Sequence, residues 1–251
     1  MSKNINLDKF YTPKKSAKKC IDLTFDTFSN FSEIVEPSAG SGNFSLQLGN
    51  CIAYDIAPEH ESIIEQDFLK LDLKYKKDRL VIGNPPFGDR NNLARSFYKK
   101  CIHICDYIGF ILPIGQLNNI DSLYQFDLIK SVDLGVLSYS NMKVHCCFNL
   151  YQRPKQMNKK PVYKKIVKIY RDDQQDYANL KYDFAIQRRG IKNAGNLRTE
   201  NLHTQTYKIY VKDRSKVEEI KNKILSYDWL KNKKYGSAPS ISKNDIHRFL
   251  S

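Results

Sequence analysis

Short apolar runs follow one another along the first part of the chain and predict buried strands. The runs lie around Ile34, Ile52 and Ile63, at residues 80–83 and at residues 107–113. Continuous apolar runs are typical of strands that are covered on both faces, as in a parallel sheet. The pattern therefore predicts an α/β fold with a mainly parallel, doubly wound sheet.

Segments with helical periodicity separate several of these runs. Apolar residues recur with helical spacing over residues 17–28 and 93–105, and Thr12 followed by Pro13 is a helix-start signal. Further along, the pattern predicts a helix near residues 121–130 and strands near residues 132–139 and 144–151.

The C-terminal hundred residues differ from the rest in charge. Residues 152–251 hold 24 Lys and Arg against 10 Asp and Glu, whereas residues 1–151 hold 17 of each, so the net charge of +14 comes from the C-terminal part. Its pattern predicts a strand at 160–170, an amphipathic helix that begins at Val217 and ends near Trp229, and a short capped helix from residue 240. We expect two domains, 1–153 and 154–251, of which the second contacts nucleic acid.

The basic charge also has two possible explanations other than contact with nucleic acid. One is a lysine-rich bias from an AT-rich genome, although such a bias would not obviously spare residues 1–151. The weaker one is attraction to a membrane, because no stretch approaches the roughly 20 apolar residues of a spanning helix. The opening Met1-Ser2-Lys3-Asn4 does not resemble a signal peptide, and a cytoplasmic location is expected.

The six cysteines predict neither disulfides nor a metal site. None belongs to a Cys-x-x-Cys motif and most lie in apolar runs, as is typical of reduced, buried thiols. Cys101, His103 and Cys105 are metal-ligand types, but on a helix the middle residue points away from the other two. No metal is therefore expected.

A turn with two glycines follows the strand around Ile34. Its sequence, Glu36-Pro37-Ser38-Ala39-Gly40-Ser41-Gly42, lets the backbone approach a ligand closely. Because the third glycine of the dinucleotide fingerprint is missing, a nicotinamide or flavin cofactor is not expected. Asp55 ends the next apolar run, where a carboxylate can accept hydrogen bonds from ribose hydroxyls. Asp67 and Phe68 follow the third run and are candidates for binding an adenine amine and ring.

The run at residues 80–83 leads into Asn84-Pro85-Pro86-Phe87. Two consecutive prolines keep the backbone extended and remove two N–H donors. The side-chain oxygen of Asn84 and the carbonyl of Pro85 can then accept both hydrogens of an exocyclic NH2, which makes its nitrogen lone pair more available for attack. Phe87 can stack on the ring that carries the amine. Taken alone, Asn-Pro-Pro is equally compatible with an ordinary turn.

Three motifs in this order resemble those of S-adenosylmethionine-dependent adenine-N6 methyltransferases. Phe10-Tyr11-Thr12-Pro13 resembles the N-terminal cofactor motif of that family, residues 36–42 its glycine motif and residues 84–87 its catalytic motif. The resemblance covers residues 9–151. Protein glutamine methyltransferases share the Asn-Pro-Pro-aromatic motif, but their glycine motif usually opens Asp-Leu-Gly, and this difference favours a nucleobase substrate.

The resemblance implies a Rossmann-like class I methyltransferase fold. It implies transfer of a methyl group from S-adenosyl-L-methionine to N6 of an adenine that is flipped out of DNA. The implied cofactor-binding residues are Tyr11, Thr12, Pro13, Glu36, Pro37, Ser38, Ala39, Gly40, Gly42, Phe44, Asp55, Ile56, Asp67, Phe68 and Asn84. The implied catalytic residues are Asn84, Pro85, Pro86 and Phe87. An adenine methyltransferase that acts on RNA and a catalytically silent nucleic-acid-binding protein are the alternatives left open.

Two further sets of residues are expected to contact the nucleic acid, which we expect to be double-stranded DNA. By its position in the matching motif, Tyr151 is expected to pack against the flipped adenine opposite Phe87, with Phe148 as the alternative. Arg188, Arg189 and Lys192 flank a glycine in a basic loop, where arginine can bind phosphate with two parallel hydrogen bonds.

Overall fold

The structure, a computed structural model, describes residues 11–88, 91–139, 142–190, 193–229 and 241–251. Phe10, Lys192 and residue 240, which the sequence analysis named, lie outside these ranges. The chain divides into two compact units, the first ending at Pro161 and the second spanning Val162–Ser251. None of the helices within the described ranges is long and apolar enough to cross a membrane.

A seven-stranded sheet forms the centre of the first unit. Its strands are β1 (Glu33–Glu36), β2 (Ile52–Asp55), β3 (Ile64–Glu65), β4 (Arg79–Gly83), β5 (Tyr107–Pro113), β6 (Asp127–Tyr139) and β7 (Met142–Gln152). They lie in the order β3-β2-β1-β4-β5-β7-β6. Strands β1 to β5 pair in parallel, and β7 runs antiparallel to both of its neighbours. The predicted mainly parallel sheet is confirmed, and the order of its five parallel strands is Rossmann-like.

Helices cover both faces of this sheet. The helices of the first unit are α1 (Lys14–Phe25), α2 (Ser45–Leu48) and α3 (Asn92–Ile104). Side chains of α1 pack with Leu80 and Ile82 of β4, whereas those of α3 pack with Val81 between them. Because successive side chains of a strand point to opposite faces, α1 and α3 lie on opposite sides of the sheet. The doubly wound arrangement is therefore confirmed.

The helix predicted near residues 121–130 is wrong. Residues 121–126 form bends, and strand β6 begins at Asp127. The hydroxyl of the buried Tyr98 fixes the bends, because it donates to the Leu123 carbonyl at 3.1 Å and accepts the Phe126 N–H at 2.9 Å. The long pairing of β6 with β7 then determines the strand, so tertiary contacts override the local apolar spacing.

The start of α1 also differs from the prediction. Pro13 occupies the N-cap position rather than the first helical position, and no side chain caps the helix. The Pro13 carbonyl accepts hydrogen bonds from the N–H groups of Ser16 and Ala17 at 2.8 and 3.0 Å. Thr12 is instead buried just before the helix.

Residues beyond β7 still belong to the first unit. Nε of Arg153 donates to Asp106 at 2.7 Å, and its Nη2 donates to the Ile102 carbonyl at 2.8 Å. Asn158 donates its backbone N–H to the Gln125 carbonyl at 3.1 Å. These bonds explain why the first unit extends beyond residue 153, where the sequence predicted its end.

The second unit has a sheet and a core of its own. Its strands are β8 (Val167–Arg171), β9 (Phe184–Gln187), β10 (Leu197–Arg198) and β11 (Thr206–Val211), and they pair antiparallel in the order β10-β9-β11-β8. Helices α4 (Val217–Ser226) and α5 (Lys243–Phe249) pack on this sheet. The helix predicted from Val217 is confirmed, but it ends at Ser226 rather than near Trp229. Ser242 with Asp245 forms a capping box at the start of α5.

Candidate active site

The carboxyl ends of strands β1 to β4 open onto one cavity of about 390 Å³. Its volume lies within the range of about 300–1,000 Å³ that is usual for small-molecule sites. The sequence-predicted residues on its wall are Tyr11, Thr12, Glu36, Pro37, Ser38, Ala39, Gly40, Phe44, Asp55, Ile56, Asp67, Phe68, Asn84, Pro86 and Phe87. The wall also contains Ser41, Asn43, Ala57, Leu69, Gly88, Leu93 and Phe97, which the sequence did not single out. Of the described residues with a predicted site role in the first unit, Pro13, Gly42, Pro85 and Tyr151 do not line it.

The glycine turn at the end of β1 has a conformation at its tip that favours glycine. Gly40 has a φ of +54°, a left-handed conformation that favours glycine. A Cβ atom at this position would lie 3.1 Å from the ring of Tyr11. The turn therefore brings its backbone to the cavity with no side chain in between.

Asp55 at the end of β2 holds this turn in place. Its Oδ2 accepts the N–H of Gly40 at 2.7 Å, and its Oδ1 accepts the N–H of Ala57 at 2.8 Å. A carboxylate oxygen has two lone pairs, so each can still accept a bond from a ligand. Asp55 thus combines a structural bond to the turn with acceptor capacity on the cavity wall.

The Asn84-Pro85-Pro86-Phe87 loop is fastened at both ends. At its start, the hydroxyl of Ser38 donates to the main-chain carbonyl of Asn84 at 3.3 Å, which links the loop to the glycine turn. At its end, the Phe87 carbonyl accepts the N–H groups of Leu93 and Ala94 at 3.2 and 3.4 Å, at the beginning of α3. The predicted cofactor and catalytic motifs therefore meet at one cavity.

Tyr139 is a partner of Asn84 that the sequence analysis missed. It ends strand β6, is 1% exposed, and its hydroxyl forms a hydrogen bond with the Asn84 side chain. The same hydroxyl lies 3.5 Å from Sγ of Cys146 on β7. The sequence signal for this contact is an aromatic residue at the end of a predicted strand. The signal points to Asn84 only once the order of the strands in the sheet is known.

Glu36 is the most perturbed acid on the cavity wall. It is 2% exposed, and its Oε2 accepts the backbone N–H of Ser45 at 2.9 Å. Burial, assisted by the nearby negative charge of Asp55, raises the pKa of Glu36 to about 8, although the bonds from Ser45 act in the opposite direction. Near neutral pH the side chain therefore carries a proton for much of the time.

We expect Glu36→Gln to flatten the pH dependence of folding stability. Because the folded pKa is raised above the usual value of about 4.5, the folded protein keeps a proton between pH 5 and 8 that the unfolded chain has lost. Stability in this range falls as the pH rises, and glutamine removes the effect. Melting temperatures measured at pH 5 and pH 8.5 should differ less in Glu36→Gln than in wild type or in the control Glu61→Gln, which alters an exposed glutamate. Equal differences in all three proteins would contradict the assignment.

Asp67 and Phe68 lie on the wall but are already engaged. Oδ1 of Asp67 accepts the N–H of Leu69 at 3.0 Å. Phe68 is 1% exposed, its ring stacks on Phe97 with centroids 5.7 Å apart, and Lys100 lies over the ring at 5.6 Å. Phe68 therefore supplies a closed apolar wall, and this packing does not support the predicted stacking of an adenine on its face.

Tyr151 is not near the cavity. It pairs with Ile108 at the beginning of β5, is fully buried, and packs edge-on against Tyr98. Since β7 runs antiparallel to β5, its final residues lie at the opposite edge of the sheet from Asn84. Phe148, the alternative, is also buried in the core. The predicted packing of Tyr151 against a flipped base is therefore not supported.

The basic loop of the second unit is only partly available for phosphate. Nε of Arg188 pairs with Asp172 at 3.0 Å, and that carboxylate is largely buried. Arg189 is exposed. Of the predicted phosphate contacts, Arg189 is thus the described residue that faces solvent.

No cluster of three or more His, Cys, Asp or Glu side chains that could hold a metal ion occurs in the described parts of the chain. Cys101 and Cys105 are buried in the core, and the Sγ of Cys105 donates to the Cys101 carbonyl at 3.1 Å. All six cysteines are free thiols, and five of them are buried.

Comparisons with known proteins give structural likenesses only. No protein-family model and no curated protein matches the chain. A solved structure from Pyrococcus horikoshii, assigned as an RNA methyltransferase, is 16% identical, with a TM-score of 0.48 over 61% of this chain and 90% of that one. A protein of Vibrio vulnificus YJ016, assigned as the modification subunit of a type I restriction enzyme, is 12% identical, with a TM-score of 0.46 over 60% of this chain and 46% of that one.

A third solved structure is the N-methyltransferase NodS of Bradyrhizobium japonicum WM9 in complex with S-adenosyl-L-homocysteine. It is 11% identical, with a TM-score of 0.43 over 61% of this chain and 90% of that one. All three scores lie below 0.5, so the assignment of the fold rests on the strand order and helix placement described above.

Proposed function

We propose that this protein transfers a methyl group from S-adenosylmethionine to the N6 amine of an adenine in DNA. One observation carries the proposal: Gly40, Asp55 and Asn84 line the same cavity. The bond from Ser38 to the Asn84 carbonyl keeps the glycine turn and the catalytic loop together. The residues proposed to bind the methyl donor are thus adjacent to those proposed to bind the amine.

The residues of the glycine turn fit S-adenosylmethionine. The Gly40 backbone borders the cavity where a Cβ atom would crowd Tyr11, so the turn suits close approach by a ligand. Asp55 offers acceptors for ribose hydroxyls, and the half-exposed Ile56 beside it offers an apolar surface for the adenine ring. When bound, the cofactor supplies a methyl group activated by a positively charged sulfur.

The catalytic loop acts by orientation. The Asn84 side-chain oxygen accepts one hydrogen of the adenine amine, and the Pro85 carbonyl, next in the chain, is the second proposed acceptor. Because Pro85 does not line the cavity, we assign the larger share of amine binding to Asn84. Holding the amine in line contributes through proximity and through preparation of the lone pair. After the new N–C bond has formed at the expense of the methyl–sulfur bond, the methylated amine gives its proton to water, which requires no basic side chain.

The charge of the second unit supports a nucleic-acid substrate. Residues 162–251 hold 20 Lys and Arg against 10 Asp and Glu. A surplus of positive charge strengthens binding to phosphates through release of counterions. We propose that this unit holds the DNA while the target adenine leaves the duplex, at a cost of about a few kcal/mol of stacking and pairing.

The test is methyl transfer from tritiated S-adenosylmethionine to duplex DNA, single-stranded RNA and ribosomal particles, with the labelled nucleoside identified by mass spectrometry. N6-methyladenine in duplex DNA is the expected product. Label confined to RNA would redirect the proposal to an RNA substrate, and label in protein would redirect it to a protein amine. Donor binding without transfer to any substrate would support a catalytically silent protein, and absence of donor binding would refute the proposed cofactor.

We expect duplex binding to weaken steeply with salt and to depend on Arg189. Affinity should fall by at least about tenfold as salt rises from about 50 to 200 mM. Arg189→Ala should reduce the slope of log affinity against log salt by about 1, because it removes one phosphate contact. Arg188→Ala is the matched control, because the charge of Arg188 is paired with Asp172. Its loss should lower the melting temperature and leave the salt slope close to that of wild type. Equal slopes for wild type and Arg189→Ala would remove Arg189 from the interface.

A further inference from the structure

Tyr139 lies behind Asn84 rather than on the cavity wall. It is 1% exposed and belongs to the apolar cluster that also contains Cys146. Its hydroxyl contacts both the Asn84 side chain and the Cys146 thiol. A buried hydroxyl in this position cannot touch a substrate, so any influence on the reaction has to pass through Asn84.

The two hydrogen bonds of Tyr139 have opposite directions. The Cys146 thiol has one proton, which it donates to the Val144 carbonyl at 3.5 Å, so its sulfur accepts in the contact with Tyr139. The Tyr139 hydroxyl also has one proton, which goes to this sulfur, so its bond with the Asn84 side chain is accepted from the amide N–H. The pKa of the phenol is raised by the Cys146 bond and lowered by the Asn84 bond, in agreement with these directions. The amide nitrogen of Asn84 therefore begins a chain of bonds that ends on the β7 backbone.

This chain selects one of the two orientations of the Asn84 amide. The two ends of an asparagine amide have nearly the same shape but opposite hydrogen-bonding character. With the nitrogen on Tyr139, the oxygen is the end that can serve a substrate amine. A rotation of 180° would oppose the NH2 of Asn84 to the NH2 of the substrate, donor against donor.

We propose that Tyr139 is a positioning residue, which binds the amide nitrogen of Asn84 and thereby fixes its oxygen as the acceptor for the substrate amine. The inference rests on the proposed function of Asn84. A neutral hydrogen bond favours the bonded orientation by roughly two- to tenfold. Without it the two orientations become equally populated, so the chemical step slows by up to about twofold while binding is unchanged.

The test is Tyr139→Phe, which removes the hydroxyl and keeps the ring. We expect kcat for DNA methylation to fall by up to about twofold, with KM for DNA and Kd for S-adenosylmethionine at their wild-type values. The matched control is Tyr98→Phe, which alters an equally buried tyrosine with a hydrogen-bonded hydroxyl on the other face of the sheet. Its kcat should stay at the wild-type value even if its melting temperature falls. Equal effects of the two variants on kcat would overturn the proposal.

A second measurement does not depend on activity. In protein labelled with ¹⁵N-asparagine, we expect the side-chain amide protons of Asn84 to exchange with solvent faster in Tyr139→Phe than in wild type, and to be unchanged in Tyr98→Phe. If wild type methylates no substrate, the proposed function fails while this measurement still tests the contact. Unchanged exchange in Tyr139→Phe would show that Tyr139 does not hold the amide.

Discussion

Asn84→Ala should reduce methyl transfer to DNA by about 100- to 1,000-fold, the range found when a single polar group that stabilises a transition state is removed. In the proposed mechanism the side-chain oxygen is the acceptor that prepares the amine, and alanine leaves nothing to replace it. Single-turnover rates at saturating donor and DNA are the appropriate measure, because they report the chemical step separately from binding.

The binding of S-adenosylmethionine should be almost unaffected in Asn84→Ala, because the main contacts proposed for it come from the glycine turn and Asp55. Calorimetry measures this affinity directly. The matched control is Asn50→Ala, which alters an exposed asparagine just before β2, at the amino ends of the strands and away from the cavity. Turnover of Asn84→Ala at the rate of the control would remove Asn84 from the mechanism.

Asp55→Ala should have the opposite effect to Asn84→Ala: weaker binding of the donor with little change in the rate of methyl transfer. It removes the acceptor proposed for the ribose and both bonds that hold the turn, to the N–H groups of Gly40 and Ala57. Hydrogen bonds to a charged group contribute about 1.5–3 kcal/mol each, so we expect donor affinity to fall by about 100-fold. The rate at saturating donor should recover most of its wild-type value, since Asn84 is intact.

Calorimetric titration of S-adenosylmethionine into Asp55→Ala checks this expectation. Asp72→Ala is the control, because Asp72 is an exposed aspartate that pairs with Lys74 and does not line the cavity. We expect the control to bind the donor like wild type. A dissociation constant for Asp55→Ala within twofold of the control would exclude the ribose role and the importance of the anchored turn.

Local sequence was sufficient to predict the parts of the site that strand ends determine. Gly40, Asp55 and Asn84 each follow an apolar run, and parallel strands bring their carboxyl ends to one edge whatever the rest of the chain does. The doubly wound sheet follows from the same runs, because strands buried on both faces need helices on both sides. These features depend on residues that are near one another in sequence.

The features that sequence did not predict depend on pairing between distant segments. Tyr139 ends β6 and Tyr151 lies near the end of the adjacent strand β7. Because the two strands run in opposite directions, Tyr139 lies near Asn84 and Tyr151 lies at the opposite ends of the parallel strands. Nothing in the local pattern encodes that reversal. The stacking of Phe97 on Phe68 and the pairing of Arg188 with Asp172 are likewise contacts between distant residues, and each changes the role expected of a predicted residue.

The bonds of Arg153 and Asn158 have a practical consequence for dividing the protein. A shortened chain that stops at the end of β7 would lose the guanidinium that binds the Ile102 carbonyl, and one that stops at residue 153 would still leave the Gln125 carbonyl without its donor. A stop codon placed after Pro161 retains both bonds. Expression trials of the first unit should therefore compare chains that end at residues 152, 153 and 161. Only the chain that ends at residue 161 should melt like the first unit of the full-length protein.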